Sequence, residues 1–448
     1  MRFPALLVAG LLAVLLPQTA RGPFVPIAVW YGGPGVRPPD VSHEPWKDAE
    51  AWRLDLQAIR AAGFNSISTW TNWAHAEPIR GRYRFDALDH MLRLAGESGL
   101  PVTLEVLTRP APEWHAGPGC GPGSPLMAML VAANARGLAH KSFDELVMPA
   151  AAASESCVGT TALTPKPAGR APLSPTELGA ALDLMRAGTE LRGWRVWRLQ
   201  GGQDVVGDQR GPAVTDADLR LWTWAALARG ARGVAFDGWY RMVDEQGAPT
   251  RATLAAGALG ASIARNERLF AAVAPRPSRA AILHTGDEQP SPAFYRAAFE
   301  RNIQVDLVQP GELLSGAASR YHVLMAEEPQ PPAVRQALKV FELAGGKVLT
   351  DPAALAGVAP DIRIDGAPGL VEARFLESPD AWLLIALNHG DTPQKVEMTF
   401  GADIPEAIWG DMETGASVSF VQTPAGPTLT HTFPARDVLV LVRSKRLR

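Results

Sequence analysis

From Pro26 to about Val273, short apolar runs alternate with stretches in which apolar residues recur at helical spacing. Alternation of this kind predicts parallel β/α units. IAVWYGG is strand-like and closes on aromatics and glycines, while AWRLDLQAIRAAG has helical spacing and stops at Gly63. FNSISTW, FDALDHMLRLAGESG and LPVTLEVL continue as strand, helix and strand, which is how a (β/α)8 TIM-like barrel begins. The regularity then breaks. Residues 110–176 hold PAPEWHAGPGCGPGSP, a helical stretch near LMAMLVAANARGLAH, and the breaker-rich MPAAAASES and TPKPAGRAP. Only SCVGTTAL reads as a strand there. Helix SPTELGAALDLMRAG, strand WRVWRL, helix TDADLRLWTWAALARG and strand RGVAFDGW restore the pattern. Six barrel strands are counted rather than eight, so the barrel is expected to be incomplete or distorted.

Near RPSRAAILHTG a new module begins, with SPAFYRAAFERN and PPAVRQALKVFELAGG as helices and IQVDLVQ, YHVLMAEE and KVLTD as strands. This is the pattern of a small doubly wound α/β domain, without a glycine-rich phosphate fingerprint. LVEARFLE, AWLLIALNHG, KVEMTFG, ASVSFVQ and DVLVLVRS are short alternating strands separated by turn signals, which predicts a C-terminal β-sandwich. The expected division is a leader at 1–22, the barrel-like domain at 23–275, the doubly wound domain at 276–358 and the sandwich at 359–448.

Composition narrows the functional classes. A 448-residue chain with 47% hydrophobic and 20% charged residues buries large cores. A formal charge of -3 supplies no basic field for nucleic acid. MRFPALLVAGLLAVLLPQTARG has one arginine near its start and an apolar run from Ala5 to Leu16, the pattern of a secretory signal and short for a membrane span. A secreted or periplasmic protein is expected, with no membrane partner once the signal is removed. In that setting Cys120 and Cys157 either pair or remain two free buried thiols. Neither they nor the nine histidines have metal-ligand spacing, so no metal and no cofactor are expected.

The stretch FNSISTWTNWAHAEPIRGRYRFDALDHMLRLAGESGLPVTLEV places Trp70, Asn72, Trp73, Glu77, Pro78, Gly81, Tyr83 and Phe85 in an order that resembles β-galactosidase-type barrels. The resemblance is to glycoside hydrolase family 42 and, more loosely, to family 35. LRLWTWAALARGARGVAFDGW resembles the family's seventh helix and eighth strand, and the module at 278–355 is similar to its trimerisation domain. The resemblance implies an oligo- or polysaccharide partner of galactoside type and a homo-oligomer. It also implies two catalytic glutamates, an acid/base after an Asn at the end of strand four and a nucleophile ending strand seven. Retaining hydrolysis needs two such carboxyls about 5–5.5 Å apart.

On that correspondence the nucleophile position is Arg198, whose guanidinium stays protonated and repels a developing oxocarbenium ion. No Asn-Glu occurs on a strand-like segment between Pro101 and Arg195. NARGLAHKSFDELVMP, residues 134–149, is similar to a loop that lies well after strand four, so strand four with its helix is expected to be deleted and strand five to be lost. Glu105, Glu113 and Asp237 are the remaining catalytic candidates, and an ion pair between Glu105 and Arg109 or Arg198 is the simpler reading of the first. Trp30, Trp70, Trp73, Trp114 and Trp239 fall at or beyond strand ends, where they either stack on sugar faces or plug the barrel top. Asn72, Glu77, Arg109, Arg198 and Gln200 are the candidates for sugar hydroxyls. Trp222 and Trp224 belong to a helix core. Three functions stay open: a glycan-binding protein with impaired or lost retaining hydrolysis, a glycosidase using unusual carboxylates, and a structural or assembly scaffold.

Overall fold

A computed structural model describes residues 24–32, 45–107, 111–115, 125–147, 162–187, 196–206, 208–284, 291–401, 404 and 408–445. The chain divides into two compact units, one of 1–171, 191–219 and 232–271 and one of 172–190, 220–231 and 272–448.

In the first unit the strands are β1 (Ile27–Trp30), β2 (Ser66–Asn72), β3 (Val102–Leu107), β4 (Phe143–Val147), β5 (Ala162–Leu163) and β6 (Val196–Gln200). A hairpin of β7 (Val205–Val206) and β8 (Gln209–Arg210) precedes β9 (Val234–Asp237). Among the described residues, seven of these strands form one sheet in the order β4-β3-β2-β1-β9-β6-β5. Every pairing in it is parallel. Helix Pro45–Ala62 follows β1 and buries Trp52, Leu56, Ile59 and Ala62, a stripe at three- and four-residue spacing. Helix Asp86–Glu97 follows β2, with Asp86 and Asp89 in its first turn favouring the helix dipole. Strands covered on both sides read as apolar runs, which is why β1 and β3 were legible.

The expectation of a deleted fourth unit is corrected here. Helix Pro125–Gly137 follows β3 and leads into β4, which pairs in parallel with β3 from Val102↔Phe143 to Glu105↔Val147. FDELV is therefore a strand rather than a loop, and the strand count among the described residues is seven, not six. The buried Phe143 ring holds the helix end close. A Cβ at Gly137 would lie 2.6 Å from that ring, so only glycine lets helix and strand approach. Of SCVGTTAL, the described part is Thr-free and consists of Ala162 and Leu163 as β5; the remainder lies outside the described residues.

The second unit contains β10 (Ala274–Pro275), β11 (Ala280–Leu283), β12 (Val305–Val308), β13 (Val323–Met325), β14 (Lys347–Leu349) and β15 (Ile362–Asp365). It continues with β16 (Val371–Glu377), β17 (Ala381–Asn388), β18 (Gln394–Phe400), β19 (Ile408–Asp411), β20 (Ser417–Ser419), β21 (Val421–Thr423), β22 (Gly426–Phe433) and β23 (Val438–Ser444). A parallel sheet in the order β12-β11-β13-β14 carries helices on both faces: Ala280 and Ile282 pack with Phe294 and Phe299, Ala281 and Leu283 with Leu338 and Phe341. Two further sheets, β10-β16-β17-β23-β19-β20 and β15-β18-β22-β21, share a core of Phe375, Leu384, Trp409, Met398, Phe400 and Phe433. The fold is α/β with parallel sheets and a β-rich C-terminal region. Trp222 and Trp224 are buried, as core residues should be. Among the described residues no helix is long and apolar enough to cross a membrane.

Candidate functional site

Residues paired at one level of a parallel sheet point to the same face, so register alone gathers the site. Trp30↔Ser68, Ser68↔Thr103 and Trp70↔Glu105 put Trp30, Trp70 and Glu105 on one face, and Gln200↔Asp237 does the same for β6 and β9. Between Val196↔Val234 and Leu199↔Phe236, β6 carries one extra residue, a bulge that includes Arg198. Arg198 Nη2 then donates to Glu105 Oε2 at 2.9 Å. Strands β6 and β3 lie four positions apart in the sheet, about 19 Å if it were flat. That span exceeds the reach of the two side chains, so the sheet curls and this pair lies on its concave face.

The guanidinium carbon of Arg198 stands 4.9 Å from the Trp30 ring centroid. Trp30 and Trp70 stack at 5.9 Å with planes 13° apart. Trp30 is 5% exposed, with an arginine and an indole against it, so it is filling rather than a platform; Trp70 is only half-buried. Asp237 has a looser partner, Arg241 Nη1 at 3.5 Å, and that arginine also lies 3.7 Å from Asp204. Glu113 is exposed.

Several of the expected sugar ligands have hydrogen-bond partners within the protein. Glu77 is 1% exposed; its Oε2 accepts from Trp73 Nε1 at 2.8 Å and its Oε1 from the Gly81 amide at 2.7 Å. Its carbonyl accepts from Trp114 Nε1 at 2.9 Å. The Glu-Pro-x-x-Gly spacing is thus a closing turn, with Gly81 at φ +74 where an L side chain is strained. Trp73 is buried and edge-on to Trp114, and Asn72 is buried with its Oδ1 accepting from the Ala74 amide at the start of helix Trp73–Ala76. Gln200 is also buried, its Oε1 accepting from the Lys166 amide and its Nε2 donating to the carbonyls of Lys166 and Gly202. Each of the polar atoms named here has a partner within the protein. Arg109, Cys120 and Cys157 lie outside the described residues.

Asp55 and Tyr31 were missed. The Tyr31 hydroxyl donates to Asp55 Oδ2 at 2.8 Å, and the buried Trp239 also donates its indole to Asp55. Burial raises the Asp55 carboxyl above its usual range, against the lowering effect of those two donors; burial, then the Asp55 charge, raises the Tyr31 hydroxyl strongly. One carboxylate therefore fastens the residues that follow Trp30 on β1 and Asp237 on β9. The signal was present: Asp55 sits three residues after Trp52 and beside Leu56, on the buried stripe of its helix.

Comparison with known proteins bears on the fold and on one segment of the sequence. Residues 40–117 match the family model described as Beta-galactosidase, glycoside hydrolase family 42. Beta-galactosidase BbgII of Bifidobacterium bifidum is 33% identical over 99 residues, which are 22% of this chain and only 13% of that protein. Among solved structures, Gan42B, a GH42 beta-galactosidase from G. stearothermophilus, aligns over 96% of this chain and 99% of its own with TM-score 0.68 and 11% identity. The cold-adapted beta-galactosidase of Rahnella sp. R3 aligns over 96% and 100% with TM-score 0.65 and 13% identity. At such identities the structural likeness concerns the fold. The segment at residues 40–117 is thus similar to glycoside hydrolase family 42, and the fold is similar to that of beta-galactosidases of that family.

Proposed function

We propose that this protein binds galactoside-type glycans on a barrel of the family 42 kind and has lost retaining hydrolysis. The observation that carries the reading is the Arg198–Glu105 ion pair on the concave face. A retaining site holds a free carboxylate against the positive charge developing on the sugar. Here the carboxylate on β3 has an oxygen committed to a guanidinium, and the pair is electrically neutral. Forfeiting one negative charge at about 5 Å costs about 3 kcal/mol of transition-state stabilisation at an effective dielectric of ~20, about a hundredfold in rate. Asp237 faces Arg241 and Glu113 is exposed, so among the described residues no second carboxylate is paired with Glu105 to replace the lost function.

The curled seven-stranded sheet supports the barrel, and the apolar N-terminal run supports export to a secreted or periplasmic site. The half-buried Trp70 beside a charged hydrogen-bonding pair is the arrangement that holds a pyranose, its apolar face on the ring and its hydroxyls on the polar groups. A panel of chromogenic β-glycosides assayed beside glycan binding by calorimetry tests the proposal. Binding without turnover is the expected result. Turnover that disappears in Asp237→Asn would establish a working glycosidase with unusual carboxylates.

A further inference from the structure

The Arg198–Glu105 pair has capacity left over. Arg198 Nη2 and Glu105 Oε2 satisfy each other, while Arg198 Nη1 and Glu105 Oε1 have no hydrogen-bond partner among the described residues. Neither of those two atoms is among the fully enclosed polar atoms, and the Arg198 side chain keeps 24% exposure and that of Glu105 9%. Among the described residues, one donor and one acceptor of this pair are therefore left over, close to the half-buried Trp70, which pairs with Glu105 in register. The face also holds buried polar atoms without a partner, the indole nitrogens of Trp30 and Trp70, Thr103 Oγ1 and Arg198 Nε. Such clustering is unusual in a closed core and marks a place where polar matter from outside completes the set.

Two adjacent hydroxyls on a sugar ring match this pattern, one accepting from Arg198 Nη1 and the other donating to Glu105 Oε1. A ligand carboxylate does not. It would gain Arg198 only by approaching Glu105, whose charge already neutralises the arginine. We infer that the Arg198–Glu105 pair is a recognition element for a neutral vicinal diol, the ring face lying on Trp70, so that the site selects uncharged hexopyranosides over uronates. The inference rests on the glycan-binding reading and adds to it which atoms hold the sugar and which sugars are refused.

The test is calorimetric titration of the full chain with methyl β-galactopyranoside and with methyl β-galacturonide, in the wild type, Glu105→Gln and Arg198→Met. The wild type should bind the neutral glycoside at least about tenfold more tightly than the uronide. Arg198→Met should weaken the neutral glycoside by about tenfold or more, the loss of a charge-assisted hydrogen bond. Glu105→Gln keeps shape and removes the charge, so the preference for the neutral sugar should shrink to roughly threefold or less, a readout that a packing role would not move. Should Arg198→Met fail to fold, the near-isosteric glutamine variant carries the test alone. Equal binding of both sugars by the wild type, or an unchanged preference in folded Glu105→Gln, overturns the inference and leaves glycan binding standing. Binding of neither sugar by the wild type removes the glycan-binding reading itself, and this inference with it.

Discussion

Asp55 shows how one side chain outside the concave face governs residues on it. Its carboxylate accepts from Tyr31 and Trp239, neighbours in sequence of Trp30 and Asp237. Asp55→Ala strands two buried donors and should cost about 2–4 kcal/mol in urea unfolding, whereas Tyr31→Phe removes one partner and should cost about 1 kcal/mol. Equal losses in the two variants would show that Asp55 holds only Tyr31. At this scale the sequence was partly legible. Arg198 could be located because a cation on a buried strand demands an acid, and Glu105 was among the few acids on a strand. The internal bonding of Glu77 and Gln200 was not legible, since a buried acceptor and a ligand-facing one are the same residue type and only coordinates reveal the donors.

Among the elements, β4 is the instructive case. FDELV has only five residues, two of them acidic, and breakers surround it, so neither alternation nor length separated it from a loop. What fixes it is tertiary: pairing along β3 and the Phe143 ring beneath Gly137. Gly137→Ala should destabilise the first unit by about 1–3 kcal/mol through overpacking, and Phe143→Leu should recover part of that loss in the double variant. Strictly additive losses would mean that helix and strand do not meet as described. The bulge in β6 was equally hidden, because an extra residue in a five-residue strand leaves no periodic trace.

In the molecule as a whole, the second unit carries a buried ionic network that no local sequence pattern announces. Arg229 donates to Asp183 and to both oxygens of Glu372; Arg374 also reaches both acids, His389 bonds Glu372 and Tyr295 donates to Asp183. These groups run along the chain from Asp183 to His389, and only folding makes them neighbours. Burial works to raise both carboxyls, yet Arg374, Arg229 and Arg186 hold Asp183 below its ordinary value, and Arg229, His389 and Arg374 hold Glu372 well below. A depressed folded-state pKa means that the unfolded chain binds more protons in acid. The stabilisation is therefore full above the ordinary carboxylate range near pH 4 and is lost as pH falls through the folded-state values. Urea unfolding of the second unit should show stability falling below about pH 4, with a flatter profile in Glu372→Gln. Arg229→Met leaves buried acids short of their cation and should cost about 3–5 kcal/mol at pH 7. A pH profile in Glu372→Gln identical to that of the wild type would remove Glu372 from this role.

The fold and the segment at residues 40–117 are similar to those of beta-galactosidases, while the proposed role of the concave face is to hold a sugar without cleaving it. Saturation-transfer NMR on the full chain mixed with methyl β-galactopyranoside reads both properties in one sample. Transfer to the ring protons, with the glycoside still intact after prolonged incubation, is what this account predicts. Free galactose accumulating in the tube, or an intact glycoside that receives no transfer, would contradict it.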